Sequence, residues 1–215
     1  MENNNQLYPK MFTWLFIGLL TTFVTGYSLS QNIVLMKNIL SIGILPIFLI
    51  ELGIAFYLGI RLSKMDPLTT KILYLIYSAT TGITFSVLFV AFKVSSIISI
   101  FLLTSIIFGV LALYGYITKK DLTKLGTILF VALISIIIFS LINMLFIKSA
   151  SFDLTLTIIG TLVFAGYIAY DINKVKYLID YVGEEKAAVY GAFQLYLDFI
   201  NLFIRLLELF GKRND

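Results

Sequence analysis

The 215-residue chain has no cysteine and no histidine. The first absence excludes a disulfide framework, thiolate metal sites and cysteine catalysis. The second excludes imidazole ligands, histidine general bases and the side chain that ordinarily titrates near physiological pH. Charge is scarce as well. Asp, Glu, Lys and Arg make up 13% of the chain, against about a quarter in a soluble domain. With 60% apolar residues, that scarcity excludes an ordinary soluble enzyme and a disordered regulator. What is present is a series of long apolar runs, and the mean hydropathy is +0.98. At about 20 residues per membrane crossing, seven crossings leave short loops and no room for a soluble domain. The net charge of +4 reads as loop lysines near a membrane surface. It is not a nucleic-acid footprint, so membrane lipids are expected partners and nucleic acid is not.

After the polar start MENNNQLYPK, the runs cover about 11–30, 40–62, 71–92, 94–117, 123–147, 154–174 and 188–210. The first has the outline of a secretory signal, but it is long enough to span and further runs follow at once. Strict alternation is absent and the runs are too long for barrel strands. A lone spanning segment must satisfy its own backbone hydrogen bonds, so each run is predicted to be a helix. The breaks fall at Met65–Pro67, Lys119–Asp121, Ser149–Asp153 and Val182–Glu185, with Glu184, Glu185 and Lys186 read as a solvated loop. The fold class expected is an all-α membrane protein, one seven-transmembrane-helix bundle over residues 1–215.

Orientation follows from the basic residues. Lys10, Arg61, Lys64, Lys71, Lys119, Lys120, Lys124, Lys174, Lys176 and Lys186 fall on one side; Lys37, Lys93, Lys148, Lys212 and Arg213 fall on the other. The positive-inside rule puts the larger set, and the N-terminus, in the cytoplasm of a multi-pass plasma-membrane protein. Abundant Ile, Lys and Asn without Cys fits a bacterial membrane protein. A last helix that spans fully puts the C-terminus outside; a re-entrant one puts it inside.

Ionisable groups at membrane depth are costly and mark function. The set is Glu51, Arg61, Asp171, Asp198, Arg205 and Glu208. Three lie in the last run, each costing about 2.5–3.5 kcal/mol at mid-helix, which brings the run near break-even against what its Leu, Ile, Phe and Val return. That run is therefore expected to be surrounded by other helices. Gln194, Asp198, Asn201, Arg205 and Glu208 recur at spacings that keep all five on one helix face. The sixth run carries a matching seam, Thr157, Gly160, Phe164, Tyr167, Asp171 and Lys174. Two pairings are allowed. Asp171 and Asp198 could face each other, with Arg61 competing as a cationic partner. Two carboxylates in a low-dielectric site cannot both ionise cheaply, so such a pair shares a proton, titrates jointly and replaces the missing histidine as a pH sensor. Glu51 and Arg205 could pair across the bundle as a plug, or as a permanent structural ion pair. A static hydrogen-bond network that only fixes packing is the plainer reading of the same seams.

The stretch Ala169-Tyr170-Asp171 with Lys174, and the run Leu195-Tyr196-Leu197-Asp198-Phe199-Ile200-Asn201-Leu202-Phe203, resemble the two signature segments of the Bax inhibitor-1 family. Ser78-Ala79-Thr80-Thr81-Gly82-Ile83-Thr84 resembles that family's Gly-containing third segment more loosely. The resemblance implies a seven-helix bundle with the C-terminal helix in the centre and calcium leak across a membrane. It also implies paired aspartates at Asp171 and Asp198 and a second-helix arginine at Arg61. Arg205 and Glu208 have no counterpart carried over from it.

The function expected is a pH-sensitive calcium leak channel, sensed by Asp171 and Asp198 and tethered by Arg61. Glu51, Tyr167, Gln194, Asn201, Arg205 and Glu208 are candidate pore-lining or plug residues. Calcium takes six to eight oxygen ligands, so Asp171 and Asp198 with nearby hydroxyls and amides make at most a weak Ca²⁺ site, which suits an ion that must also leave. Ca²⁺ is then the permeating ion, protons the regulator, and no cofactor is tightly bound. The same carboxylates also suit a proton-coupled transporter, though inverted repeats are absent. An intramembrane aspartyl protease is a third reading, but no Gly-containing motif surrounds either aspartate. An interaction scaffold is a fourth. No covalent chemistry is expected under the leading reading.

Overall fold

A computed structural model describes residues 6–61 and 64–214. The polar start before Gln6, and Leu62 at the end of the second expected run, lie outside the described residues. The helices are α1 (Leu7–Ser30), α2 (Ile33–Ile42), α3 (Ile44–Arg61), α4 (Pro67–Ala91), α5 (Val94–Ile117), α6 (Thr123–Ile142), α7 (Ala150–Val182) and α8 (Glu184–Phe210). A π-helical turn, Asn143–Ile147, extends α6. The described residues hold no strand, only an isolated bridge between Phe92 and Arg213. Among them six helices are long and apolar enough to cross a membrane: α1, α4, α5, α6 with its π turn, α7 and α8.

The breaks read from the sequence become helix ends, for local reasons. Asp66 caps α4: its Oδ1 accepts the Thr69 amide at 2.9 Å and its Oδ2 the Thr69 hydroxyl at 2.6 Å, with Pro67 at the first helical position. Those bonds, the hydroxyl's first, hold the exposed Asp66 carboxyl below the ordinary carboxylate range. Gly183 separates α7 from α8 at a φ of +79°, a left-handed conformation open to glycine.

Three elements differ from the expectation. The run read as one helix from residue 40 is broken at Gly43, with a φ of +85°, so α2 is a separate helix and α3 begins at Ile44. Pro46 sits in the first turn of α3, where a missing N–H costs nothing. Helix α7 continues past residue 174 to Val182. Glu184, Glu185 and Lys186 are not a loop but the first turn of α8, where acidic side chains meet the positive end of the helix dipole.

The helices group into two compact units, and α7 and α8 contribute to both. The first holds the chain up to Val94, Val175–Tyr196 and the residues from Arg213. Here α1 and α4 pack backbone to backbone through small residues. A Cβ on Gly26 would lie 2.9 Å from the Gly82 carbonyl oxygen, and one on Gly82 only 2.6 Å from Thr25. Such close approach is how helices associate where apolar burial gives no advantage over lipid. The start of α8 is tied to this unit by the ion pairs Lys10–Glu184 (2.6 Å) and Lys71–Glu185, and by Lys186 donating to the Met65 carbonyl at 3.2 Å. Beyond its other end, Asn214 donates to the carbonyls of Val90 (2.8 Å) and Phe92 (3.3 Å). Within this unit the start of α8 therefore lies by the start of α4, and Asn214 by the end of α4.

The second unit holds Ser95–Lys174 and Leu197–Lys212. Leu129, Ile136 and Val163 form an apolar cluster between α6 and α7, with Tyr167 and Tyr170 packed on it. Phe199 of α8 meets Phe101 and Phe108 of α5 with ring centroids 5.3 and 5.6 Å apart. Gly115 lets α5 touch the backbone of α7, since a Cβ there would lie 2.3 Å from the Ala169 carbonyl oxygen.

Candidate functional site

Within the second unit α7 and α8 run antiparallel, as three cross-helix neighbours show. Asp171 meets Asp198, Gly160 meets Arg205, and Thr157 meets Glu208, with numbers falling on one helix as they rise on the other. The aspartates meet because each lies a similar distance from Gly183, about 18 Å back along α7 and about 22 Å forward along α8 at 1.5 Å per residue.

The two carboxyls stand within hydrogen-bonding reach of each other. Asp198 is buried and Asp171 half-buried. Oδ2 of Asp198 is fully enclosed and has no hydrogen-bond partner among the described residues. Tyr167 lies near both carboxyls, and Lys174 lies near Asp171 while donating to the Tyr170 hydroxyl at 2.6 Å. The site is held from α5: the Asn173 side chain donates to the carbonyls of Gly115 (3.3 Å) and Thr118 (3.4 Å).

Chemically this is a carboxyl pair in which one oxygen of Asp198 has no partner among the described residues. Two carboxyl groups can hydrogen-bond to each other only through a proton that one of them carries. With the proton gone, the pair presents two carboxylates to a cation. It does not make a closed metal centre: no group of three or more acidic metal-ligating residues occurs among the described residues.

The other residues singled out from the sequence occupy separate settings. Arg61 is exposed at the end of α3 and forms no ion pair among the described residues. Glu51 is buried on α3 and accepts the Thr84 hydroxyl of α4 at 2.7 Å. Gln194 is half-buried. Asn201 donates to the Leu197 carbonyl of its own helix at 2.8 Å. Arg205 lies in the notch left by Gly160, where a Cβ would stand 2.4 Å from its guanidinium carbon. That guanidinium sits 5.5 Å from the centre of the Phe164 ring and donates to the Leu156 carbonyl at 3.5 Å. Glu208 accepts the Thr157 hydroxyl at 3.3 Å.

The sequence reading missed a buried hydroxyl chain in the first unit. The Thr22 hydroxyl lies 2.8 Å from the Ser78 carbonyl and 3.1 Å from the Gly18 carbonyl, and it shares a hydrogen bond with the Tyr196 hydroxyl 2.5 Å away. Tyr196 thereby joins α8 to α1 and α4, its ring edge-on to Tyr74 and Tyr77. The signal available was Tyr196 itself, inside the most specific motif of the chain.

Residues 4–215 match the family described as "Inhibitor of apoptosis-promoting Bax1". Among relatives, the Inner membrane protein YbhL of Escherichia coli K12 is 35% identical over 212 residues, covering 95% of this chain and 90% of that protein. An uncharacterized protein of Borreliella burgdorferi is 35% identical over 98% of this chain and 94% of its own length. An uncharacterized membrane protein of Streptococcus pyogenes serotype M1 is 34% identical over the same shares. With similarity running along nearly all of each sequence, this multi-pass membrane protein belongs to the Bax inhibitor family.

Proposed function

We propose that the protein is a pH-sensitive calcium leak channel, a seven-span bundle with α8 at its centre. The observation that carries this reading is the carboxyl pair Asp171–Asp198, enclosed between α7 and α8 with one oxygen of Asp198 idle. Three further observations support it. Helix α3, with 18 residues and a length of about 27 Å, is long enough to be the seventh span. In α8, 72% of the most apolar 18-residue stretch is buried, against 17–44% in the other five. The basic residues favour the N-terminal side two to one, which supports a cytoplasmic N-terminus in a plasma membrane.

In this mechanism the proton count of the pair sets the state of the channel. Arg61 is the cationic tether that competes for Asp171. Loss of the shared proton leaves two carboxylates that repel each other and attract a divalent cation. The pair lacks enough oxygens to retain Ca²⁺, which favours passage over storage. Tyr167, Gln194, Asn201, Glu51, Arg205 and Glu208 line or plug the path. The protein acts on ions, not on a covalent substrate, and needs no bound cofactor.

The test is Ca²⁺ flux in liposomes containing only the purified protein, between about pH 5 and 8, the range histidine would ordinarily sense. Flux is expected to vary with pH in the native protein and to lose that variation in Asp171→Asn and in Asp198→Asn. Arg61→Gln is expected to shift the pH midpoint without abolishing the response. An unchanged pH profile in both aspartate variants would reject the sensor. Saturable uptake of an organic solute driven by a pH gradient would instead identify a proton-coupled transporter.

A further inference from the structure

Helix α2 fits neither the spans nor the aspartate site. Its ten residues reach about 15 Å, half of what crosses a hydrocarbon core of about 30 Å. Both ends are closed within its own segment. The Asn32 side chain accepts the amides of Val34 and Leu35 at 3.1 Å each, and the Gly43 amide donates to the Ile39 carbonyl at 3.1 Å. It is a complete helix, not a frayed end of α3.

Its residues divide by helical angle. Lys37, Asn38 and Ser41 share one arc, and Ile33, Leu35, Met36, Ile39, Leu40 and Ile42 fill the rest apart from Val34. Only Met36, at the centre of the apolar arc, is buried against the protein. The margins are bare: Ile33 is 73% exposed, Ile42 65%, Leu40 54% and Leu35 42%. A water-facing helix would not carry that much uncovered aliphatic surface. The preceding helix supplies the occupant by continuity. Phe12, Phe16, Leu20, Phe23, Val24 and Tyr27 expose an apolar stripe along α1, a helix long and apolar enough to span, and the bare margin of α2 begins six residues after Tyr27.

We propose that α2 is an interfacial lipid-binding helix. Its apolar margins sink about 5–10 Å into the boundary between headgroups and acyl chains, in the leaflet where α1 ends, and Lys37, Asn38 and Ser41 face the headgroups and water. The glycine at Gly43 lets α2 lie at its own angle to α3. The claim does not depend on ion conduction.

The absence of cysteine makes the test clean, because each introduced cysteine is the sole labelling site. The full-length protein in phospholipid vesicles is spin-labelled at Leu35→Cys, Leu40→Cys, Asn38→Cys and Ser41→Cys, all at exposed positions. Collision with membrane-soluble oxygen and with a water-soluble nickel chelate is then measured. The oxygen-to-chelate ratio is expected to be several-fold higher at Leu35 and Leu40 than at Asn38 and Ser41. Equal, chelate-dominated collision at all four sites would overturn the proposal by showing α2 in water. Shielding of Leu35 and Leu40 from both reagents, with spin–spin broadening, would overturn it in favour of a second copy of the chain covering the helix.

Discussion

Helices α6 and α8 invert the relation between hydropathy and burial that holds in soluble proteins. Helix α6 with its π turn is the most apolar span and the least buried, at 17% of its stretch, whereas α8 is among the least apolar and is 72% buried. On α6, Phe130, Val131, Ile137 and Ile138 are exposed; on α8, Leu195, Tyr196 and Leu202 are wholly enclosed. In a bilayer an aliphatic side chain gains little by leaving lipid for protein, while a carboxylate or guanidinium gains a great deal. Polar content therefore marks the helix that the protein must surround, and pure hydropathy marks the one left to lipid. The candidate site residues Asp198, Asn201 and Arg205 all lie on α8, the more buried of the two helices.

The comparison is most exposed to truncation of packed side chains. Leu202→Ala on α8 is expected to cost about 2–5 kcal/mol, whereas Val131→Ala on α6 should stay within about 0.5 kcal/mol; unfolding in detergent at matched conditions reads both. Equal losses would mean that burial in α8 confers nothing that lipid does not. Next comes the close contact of α5 with α7. Gly115→Ala forces a Cβ toward the Ala169 carbonyl and is expected to cost about 1–3 kcal/mol. Gly109→Ala on the same helix meets nothing within 4 Å and should be neutral or slightly stabilising, since alanine is the better helix former. Tyr196→Phe keeps the ring and deletes the hydroxyl that bonds Thr22, an expected loss of about 1 kcal/mol measured the same way. Lys71→Gln removes the exposed pair with Glu185; its effect is the smallest of the series and should vanish in high salt.

What the sequence made legible follows the same physics. The polar seam on α8 could be read because its spacing is local, whereas the facing of Asp171 and Asp198 stood only as one of two allowed pairings and as what the family resemblance implied. Gly43 was not readable as a break: a glycine inside an apolar run resembles any packing glycine until its φ is known. Glu184 and Glu185 looked like loop because their charges suit water, yet the same charges suit the first turn of α8 and meet Lys10 and Lys71 from distant segments. The Tyr196–Thr22 bond joins residues 174 positions apart, a separation that no periodicity in one sequence reveals. Asn201 shares the seam's arc but bonds its own backbone, so position on a helix face identified a candidate without fixing its partner.

The central claim is that Asp171 and Asp198 hold one proton between them. Infrared difference spectroscopy of the purified protein, across the pH range in which flux changes, tests it directly. The account expects a single protonated-carboxyl band whose frequency and pH midpoint both change in Asp171→Asn and in Asp198→Asn, because each group sets how the other holds the proton. Two bands, each lost in only one variant and titrating without reference to the other, would contradict it.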